Sequence, residues 1–314
     1  MIKIIQVLGL MVLMLVGLQL TACSSARVPV GKAVHQPKLV KQPVFHSSDG
    51  SELYAQHWLP DEPPKAVLLL LHGFNEYSGA FATVGEYFAE QGVAVWAYDQ
   101  RGFGRSPYRG LWSSAARMAQ DAQEMAQLLR REYPDTPLYS IGTSMGGAVS
   151  LLAAAEHDLA VDGVILVAPA VWTSTTQPFY QRWGLELALK FAPGWSPTGE
   201  SLQIRPTDNR ALLGEIWQSP WMMHGGSRMD TVAGLVDLMD QSFAAAPKVK
   251  QPVLLLYGNK DELVPVDPIN KLWARLPKTR SKTQQIRYPN GWHMLLRDLQ
   301  GEKVMADIIA WIEE

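Results

Sequence analysis

Tyr139-Ser140-Ile141-Gly142-Thr143-Ser144-Met145-Gly146-Gly147-Ala148 reads as a strand that turns sharply into a helix with a serine at the apex. The residues before it, 138–141, form a short apolar run, and 145–155 are rich in helix formers. A turn this tight leaves no room for side chains two residues either side of its apex, where Gly142 and Gly146 stand. Gly147 then lets the helix lie close to the sheet, and Ser144 is expected to project its hydroxyl into solvent or a pocket.

Outward from this turn, apolar runs and amphipathic segments alternate. Residues 66–71, 93–98 and 161–167 are continuous apolar runs, as expected of strands buried on both faces of a parallel sheet. Between them, residues 77–91 and 114–131 read as helices, the second with Met118, Ala122, Met125 and Leu129 on one face. Residues 44–46 and 52–59 read as two strands joined by the turn-rich Ser47-Ser48-Asp49-Gly50. After residue 250 come strands at 252–257 and 283–288, a short helix at 268–275 and a closing helix at 301–312. This order predicts an α/β fold over 44–314, with a mostly parallel central sheet flanked by helices.

The alternation breaks over about 169–250. That insertion holds a helix at 177–191, a Pro/Gly-rich bend at 193–199, a helix at 231–245 and Trp172, Trp183, Trp195, Trp217 and Trp221. It is expected to sit above the strand ends as a helical lid. The helix at 177–191 carries Phe179, Trp183, Leu187 and Phe191 on one stripe and Arg182, Glu186 and Lys190 on another. Two expectations follow for the apolar stripe. Either it packs on the main domain as lid core, or Trp183 and its neighbours bind substrate along an acyl channel or dip into a bilayer.

In open parallel sheets, ligand groups gather in loops at the carboxyl ends of the strands. Four such loops carry His72-Gly73-Phe74, Ser144, Asp261 and His293, in the order oxyanion loop, Ser, Asp, His. A serine hydroxyl needs a base, and imidazole can take its proton near neutrality and return it. Of the seven histidines, His293 follows the last strand and is the candidate base, while His72 is expected to shape the oxyanion loop. Asp261 would accept from the other imidazole nitrogen, with Glu262 as its rival. The backbone N–H groups of Phe74 and Met145 are the candidate oxyanion donors. The glycine-rich loop from Asp99 to Ser106 lacks phosphate-loop spacing and reads as structural.

With these residues in place the chain resembles the α/β-hydrolase family over 44–314. Within it, His72-Gly73-x-x-Glu76-x-Ser78, Asp99-Gln100-Arg101-Gly102-x-Gly104-x-Ser106, Gly142-x-Ser144-Met145-Gly146-Gly147 and Gly258-x-x-Asp261-x-x-Val264-Pro265 are similar to monoacylglycerol lipases and bacterial lysophospholipases. The resemblance implies an α/β-hydrolase fold and a serine carboxylester hydrolase that acts through an acyl-enzyme on Ser144, without metal or organic cofactor. It makes Glu76 a substrate-binding candidate. The chain departs from the branch at Ala80-Phe81, where Arg-Tyr is frequent, and at Phe103, where His is common.

The N-terminus reads as an address. Lys3 is followed by an apolar stretch over 4–20, and Leu20-Thr21-Ala22-Cys23 resembles the lipobox of bacterial lipoproteins. The resemblance implies a signal peptide at 1–22, acylation of Cys23 and a lipidated tether over 23–43; an uncleaved anchor or a plain secretory signal are the alternatives. Ser24 stands where inner-membrane lipoproteins carry Asp, which points to the outer membrane, facing the periplasm. The tether, with Val28-Pro29-Val30 and Gln36-Pro37, is expected to hold no helix or strand. Cys23 is the only cysteine, so no disulfide forms within one chain.

A net charge of -2 over 314 residues gives no basic excess for nucleic acid and favours lipids or small esters as partners. The expected function is hydrolysis of monoacyl lipids, lysophospholipid or monoacylglycerol. A short-chain carboxylesterase or serine peptidase on the same residues, and a non-catalytic envelope scaffold, are the other readings.

Overall fold

In a computed structural model of the chain, residues 25–40, 44–198, 204–278 and 282–314 are described. The expected signal peptide at 1–22, the expected acylation site Cys23 and the end of the expected tether at 41–43 lie outside the described residues. The apolar runs become β4 (Ala66–Leu71), β5 (Val93–Tyr98), β6 (Leu138–Thr143), β7 (Gly163–Val167) and β8 (Val253–Gly258). Every residue of β4, β6, β7 and β8 is buried. With β1 (Lys38–Val40), β2 (Val44–His46), β3 (Glu52–Trp58) and β9 (Gln284–Tyr288) they form one nine-stranded sheet, ordered β1-β2-β3-β5-β4-β6-β7-β8-β9. Pairing is antiparallel from β1 to β5 and parallel from β5 to β9. This is the mostly parallel sheet of the α/β-hydrolase fold, as the sequence led us to expect.

Side-chain alternation divides the core into two layers. Val67, Leu69 and Leu71 of β4 face a cluster with α2 (Ala115–Glu132) and α3 (Met145–Glu156), which supply Met118, Met125, Val149 and Leu152. Ala66, Leu68 and Leu70 face the other layer, built by Val84 and Phe88 of α1 (Ala82–Glu90) and by Ile308 and Trp311 of the C-terminal helix. Ser114 caps α2 by accepting from the Arg117 N–H at 3.1 Å, which explains why the helix starts there.

The insertion between β7 and β8 contains α4 (Phe179–Phe191), α5 (Arg210–Gln218) and α6 (Met229–Ala245). Helices α7 (Val266–Arg275) and α8 (Gly301–Glu313) follow. The sequence reading has no counterpart of α5. Gly214 interrupts a short segment there, yet Asn209 caps it by accepting from the Leu212 N–H at 3.2 Å. The lid-core expectation for α4 is corrected as well, since none of its residues is buried.

The tether expectation also changes. Residues 38–40 pair with β2, placing Leu39 opposite Phe45. The Val28 N–H donates to the Trp112 carbonyl at 2.9 Å, and Val28 is only 6% exposed. Further upstream, the Ala26 N–H donates to Asp230 Oδ2 on α6 at 3.0 Å. Residues 25–40 thus form a strap. Isolated apolar residues such as Val28 and Leu39 show no periodicity, and the surfaces they meet come from distant sequence.

Candidate active site

Ser144 sits at the junction of β6 and α3 with φ 49° and ψ -115°, a conformation costly for any residue with a Cβ. Its backbone is fastened on both sides. The Ser144 N–H donates to Val167 O at 3.0 Å, and its carbonyl accepts from Ala170 N at 2.9 Å and Gly147 N at 3.0 Å. A Cβ at Gly142 would strike the Gly146 carbonyl, and one at Gly146 the carbonyl of Leu71. A Cβ at Gly147 would come within 2.9 Å of Pro169. The three glycines are therefore required by the close crossing of β6, α3 and the loops beside them.

His293 follows β9, and its Nδ1 lies 2.7 Å from Asp261 Oδ2, with the two side chains 10% and 0% exposed. Asp261 is held by its other oxygen, which accepts from the N–H groups of Leu263 at 2.8 Å and Val264 at 2.9 Å. With a carboxylate oxygen as the acceptor, Nδ1 carries the proton and Nε2 is left as a base. Burial pushes the His293 imidazole down, but the charge and hydrogen bond of Asp261 outweigh it and hold the group above its ordinary 6.5. Glu262 accepts instead from the Arg205 N–H at 2.7 Å, so the structure separates the two rival carboxylates. The loops are stitched together by Lys260 N–H to Gly291 O at 2.9 Å, and Asp298 accepts from Trp292 N–H at 3.0 Å.

His72 is fully buried and has the structural part expected of it. Its Nε2 accepts from the Gln100 N–H at 2.9 Å and its Nδ1 lies 2.8 Å from Gly73 O, which fits a neutral ring protonated on Nδ1. Burial pushes this imidazole below its ordinary value, in agreement. Phe74 packs edge-on against Phe103 with centroids 5.5 Å apart, and Phe103 in turn meets His72 at 5.8 Å. The N–H of Met145 is the first of α3 and has no acceptor within its helix. Neither it nor the Phe74 N–H makes a backbone hydrogen bond among the described residues.

Glu76 lines the site, but its carboxylate is already engaged. One oxygen accepts from the Gly73 N–H at 2.9 Å and the other pairs with Arg297. Burial pushes the carboxyl up, and the Arg297 guanidinium more than offsets this, holding it below the usual carboxylate value. Arg297 lies over the Phe81 ring at 4.0 Å and donates to Ala80 O at 3.2 Å. The sequence reading passes over Arg297. The available signal is Glu76 itself, a carboxylate between apolar loop residues that calls for a cation.

The glycine-rich loop is structural. Asp99 accepts from the Ser78 and Arg105 N–H groups, each at 2.7 Å. Arg101 is tied to Asp49 at 2.8 Å and to Asp121, so its guanidinium is spent within the fold, while that of Arg105 lies over the Tyr54 ring at 4.2 Å.

Ser144 and His293 open into a cavity of about 390 Å³, within the range of small-molecule sites. Phe74, Phe81, Trp172, Leu213, Trp217 and Met239 are among its apolar walls, and Glu76 is the one carboxylate among the described lining residues. Trp183 is not among them and stands 63% exposed on α4. The structure thus gathers Ser144, Asp261, His293, Phe74, Met145 and Glu76 around one site and leaves Trp183 apart.

A family model described as serine aminopeptidase, S33, matches residues 62–300. The chain is similar to monoglyceride lipase of Rattus norvegicus, with 25% identity over 273 residues that cover 86% of this chain and 89% of that one. It is likewise similar to monoacylglycerol lipase of Mycolicibacterium smegmatis, with 26% identity over 85% of this chain and 95% of that one. Among solved structures, a soluble variant of monoglyceride lipase from Saccharomyces cerevisiae, in complex with a substrate analog, superposes with a TM-score of 0.71. It is 19% identical, covers 92% of this chain and 96% of its own length, and shares the fold.

Proposed function

The chain belongs to the Hydrolase_4 family of α/β-hydrolases, and on that premise we propose that it is a serine carboxylester hydrolase acting on monoacyl lipids, with Ser144, His293 and Asp261 as its triad. The observation that carries this reading is the cavity at Ser144, whose walls are largely apolar and whose only carboxylate among the described residues is spent on Arg297 and Gly73. An acyl chain is satisfied by such walls, because it asks only for dispersion contact and exclusion of water.

In this mechanism Ser144 Oγ attacks the ester carbonyl as its proton passes to His293 Nε2, and Asp261 stabilises the imidazolium. The developing oxyanion is met by the N–H groups of Phe74 and Met145, each worth ~10²–10³ in turnover. The alkoxide of the glycerol or lysolipid head then leaves with the proton from His293. Water gives a proton to His293, attacks the acyl carbonyl and releases the fatty acid, and Ser144 recovers its proton. Glu76 is placed as a positioning residue for Gly73, rather than as the substrate ligand of the sequence reading.

The family's description favours a second reading, an aminopeptidase. A free α-amine needs an anionic partner, and the one carboxylate among the described lining residues is held in an ion pair. Lysophospholipids, monoacylglycerols, short p-nitrophenyl esters and aminoacyl amides, tested on the chain and on Ser144→Ala, distinguish the readings. Turnover of long monoacyl esters that disappears in the variant is expected. Turnover of aminoacyl amides alone would transfer the site to the peptidase reading, and failure of a fluorophosphonate to label Ser144 would leave only the scaffold.

We extend the proposal to anchoring through acylated Cys23 at the outer membrane, facing the periplasm, supported by the apolar stretch at 4–20 and the Leu20-Thr21-Ala22-Cys23 tetrad. Labelling of bacterial cells with palmitate should mark the chain, and Cys23→Ser should abolish the mark.

A further inference from the structure

The loop that carries the Phe74 N–H is held from two sides. On its N-terminal side the Gly73 N–H donates to Glu76 Oε2 at 2.9 Å, and Glu76 is paired with Arg297. On its C-terminal side stands Asn75, half-buried, with φ 64°. Few residues with a Cβ adopt this left-handed conformation, and asparagine is among those that tolerate it. Glycine would satisfy the same backbone at lower cost, so what asparagine adds is its amide.

The amide is used on the insertion. Asn75 Nδ2 donates to Ser227 Oγ at 2.8 Å, across 152 residues of sequence, and Asn75 O accepts from the Met223 N–H at 3.2 Å. Both partners lie in the segment 219–228 between α5 and α6. One residue thus ties the oxyanion loop to the insertion through side chain and backbone at once. The segment that receives it is anchored by groups that do not involve Asn75. The Arg105 guanidinium lies over the Trp221 ring at 4.9 Å as well as over Tyr54, Arg109 donates to Met222 O at 2.5 Å, and the Ser227 N–H donates to Pro197 O at 3.3 Å. Removing the Asn75 amide should therefore leave the segment in place and loosen only the loop.

We propose that Asn75 is a positioning residue for the oxyanion: its tie to Ser227 and Met223 holds the Phe74 N–H where the tetrahedral intermediate needs a donor. This role rests on the hydrolase reading above. A donor aimed at a developing charge acts through its preset direction, and a displacement of ~1 Å can cost ~10² in rate. Because the tie itself makes no contact with substrate, its effect falls on the transition state, so kcat and kcat/KM decline together while KM is unchanged. Asn75 lines the cavity, whereas Ser227 is not among the described lining residues. An amide that instead touched the substrate would give loss at Asn75 without loss at Ser227.

The test compares, in the full chain, Asn75→Gly, which keeps the left-handed backbone and removes the amide, with Ser227→Ala, Ser227→Thr and the double variant Asn75→Gly/Ser227→Ala. Each is assayed on a short p-nitrophenyl ester and on a monoacylglycerol, and for inhibition by an alkyl trifluoromethyl ketone. Ser144 Oγ adds to that ketone's carbonyl, its proton passes to His293, and the negative charge stays on the former carbonyl oxygen, which occupies the oxyanion position. Asn75→Gly and Ser227→Ala should each lower kcat about tenfold on both esters, leave KM within about twofold, and weaken the ketone by the same factor as kcat. The double variant should lose no more than either single one, and Ser227→Thr, which keeps the hydroxyl, should retain kcat.

An unchanged kcat in Ser227→Ala, a loss confined to KM, or losses that multiply in the double variant would each overturn the tie. So would a loss of kcat that follows a loss of folded protein in thermal melts, since the role assigned to Asn75 is in placing a donor and not in holding the fold. If the unsubstituted chain turns over neither ester and a fluorophosphonate does not label Ser144, the hydrolase reading falls and takes this role with it. Variants that all work at the unsubstituted rate would remove the role of Asn75 alone.

Discussion

Ser144 and Asp261 show how single residues acquire their roles. The serine was legible from Gly142 and Gly146, because only a strained turn demands both, and the structure shows the backbone fastened at φ 49°. Asp261 was separable from Glu262 only by direction, and the Leu263 and Val264 N–H groups supply that direction. Asp261→Asn should lower kcat/KM by ~10³–10⁴ through loss of the correct imidazole tautomer. The pH profile checks the cause. His293 works as a base only when neutral and Asp261 holds it above 6.5, so activity should rise with pH along a limb above 6.5, and this limb should move down in the variant. At the buried pair, Arg297→Met leaves Glu76 charged without a partner and should cost ~3–5 kcal/mol in denaturant melts. Adding Glu76→Gln should recover part of that loss. Glu76, held below its ordinary value, contributes stability at neutral pH that fades as the pH falls through its folded pKa, and this dependence should vanish in the double variant.

At the scale of elements, glycine positions separate packing from permissiveness. Gly146→Ala should drive its methyl into the Leu71 and His72 carbonyls, lowering both the melting temperature and the yield of folded protein. Gly184→Ala, inside α4, meets nothing within 4 Å and should stabilise by roughly 0.5–1 kcal/mol in the same melts. Elements carried by a strong period were readable: β4 as an unbroken aliphatic run, α2 with its Ser114 cap. The strap and α5 were not, since three residues of edge strand or nine of helix with a central glycine carry too little pattern to stand apart from loop. Their order comes from partners far away in the chain, such as Trp112 and Asp230 for the strap.

For the whole molecule, the division between cavity and outer surface decides what the insertion does. Leu235 lines the cavity, so Leu235→Trp should lower kcat/KM for long-chain monoacyl esters more than for short ones. Trp183→Ala should leave that ratio unchanged in detergent solution, because Trp183 lies outside the cavity. The amino-acid sequence by itself determined the sheet, the insertion between β7 and β8 and the order of Ser144, Asp261 and His293, because hydrophobic period and turn chemistry are local properties of the chain. Only the tertiary structure decided that Glu76 is spent on Arg297, that the aromatic face of α4 turns outward and that residues 25–40 are strapped to α6. Each depends on which distant groups meet, and an amphipathic stripe states that a face must be covered without stating by what.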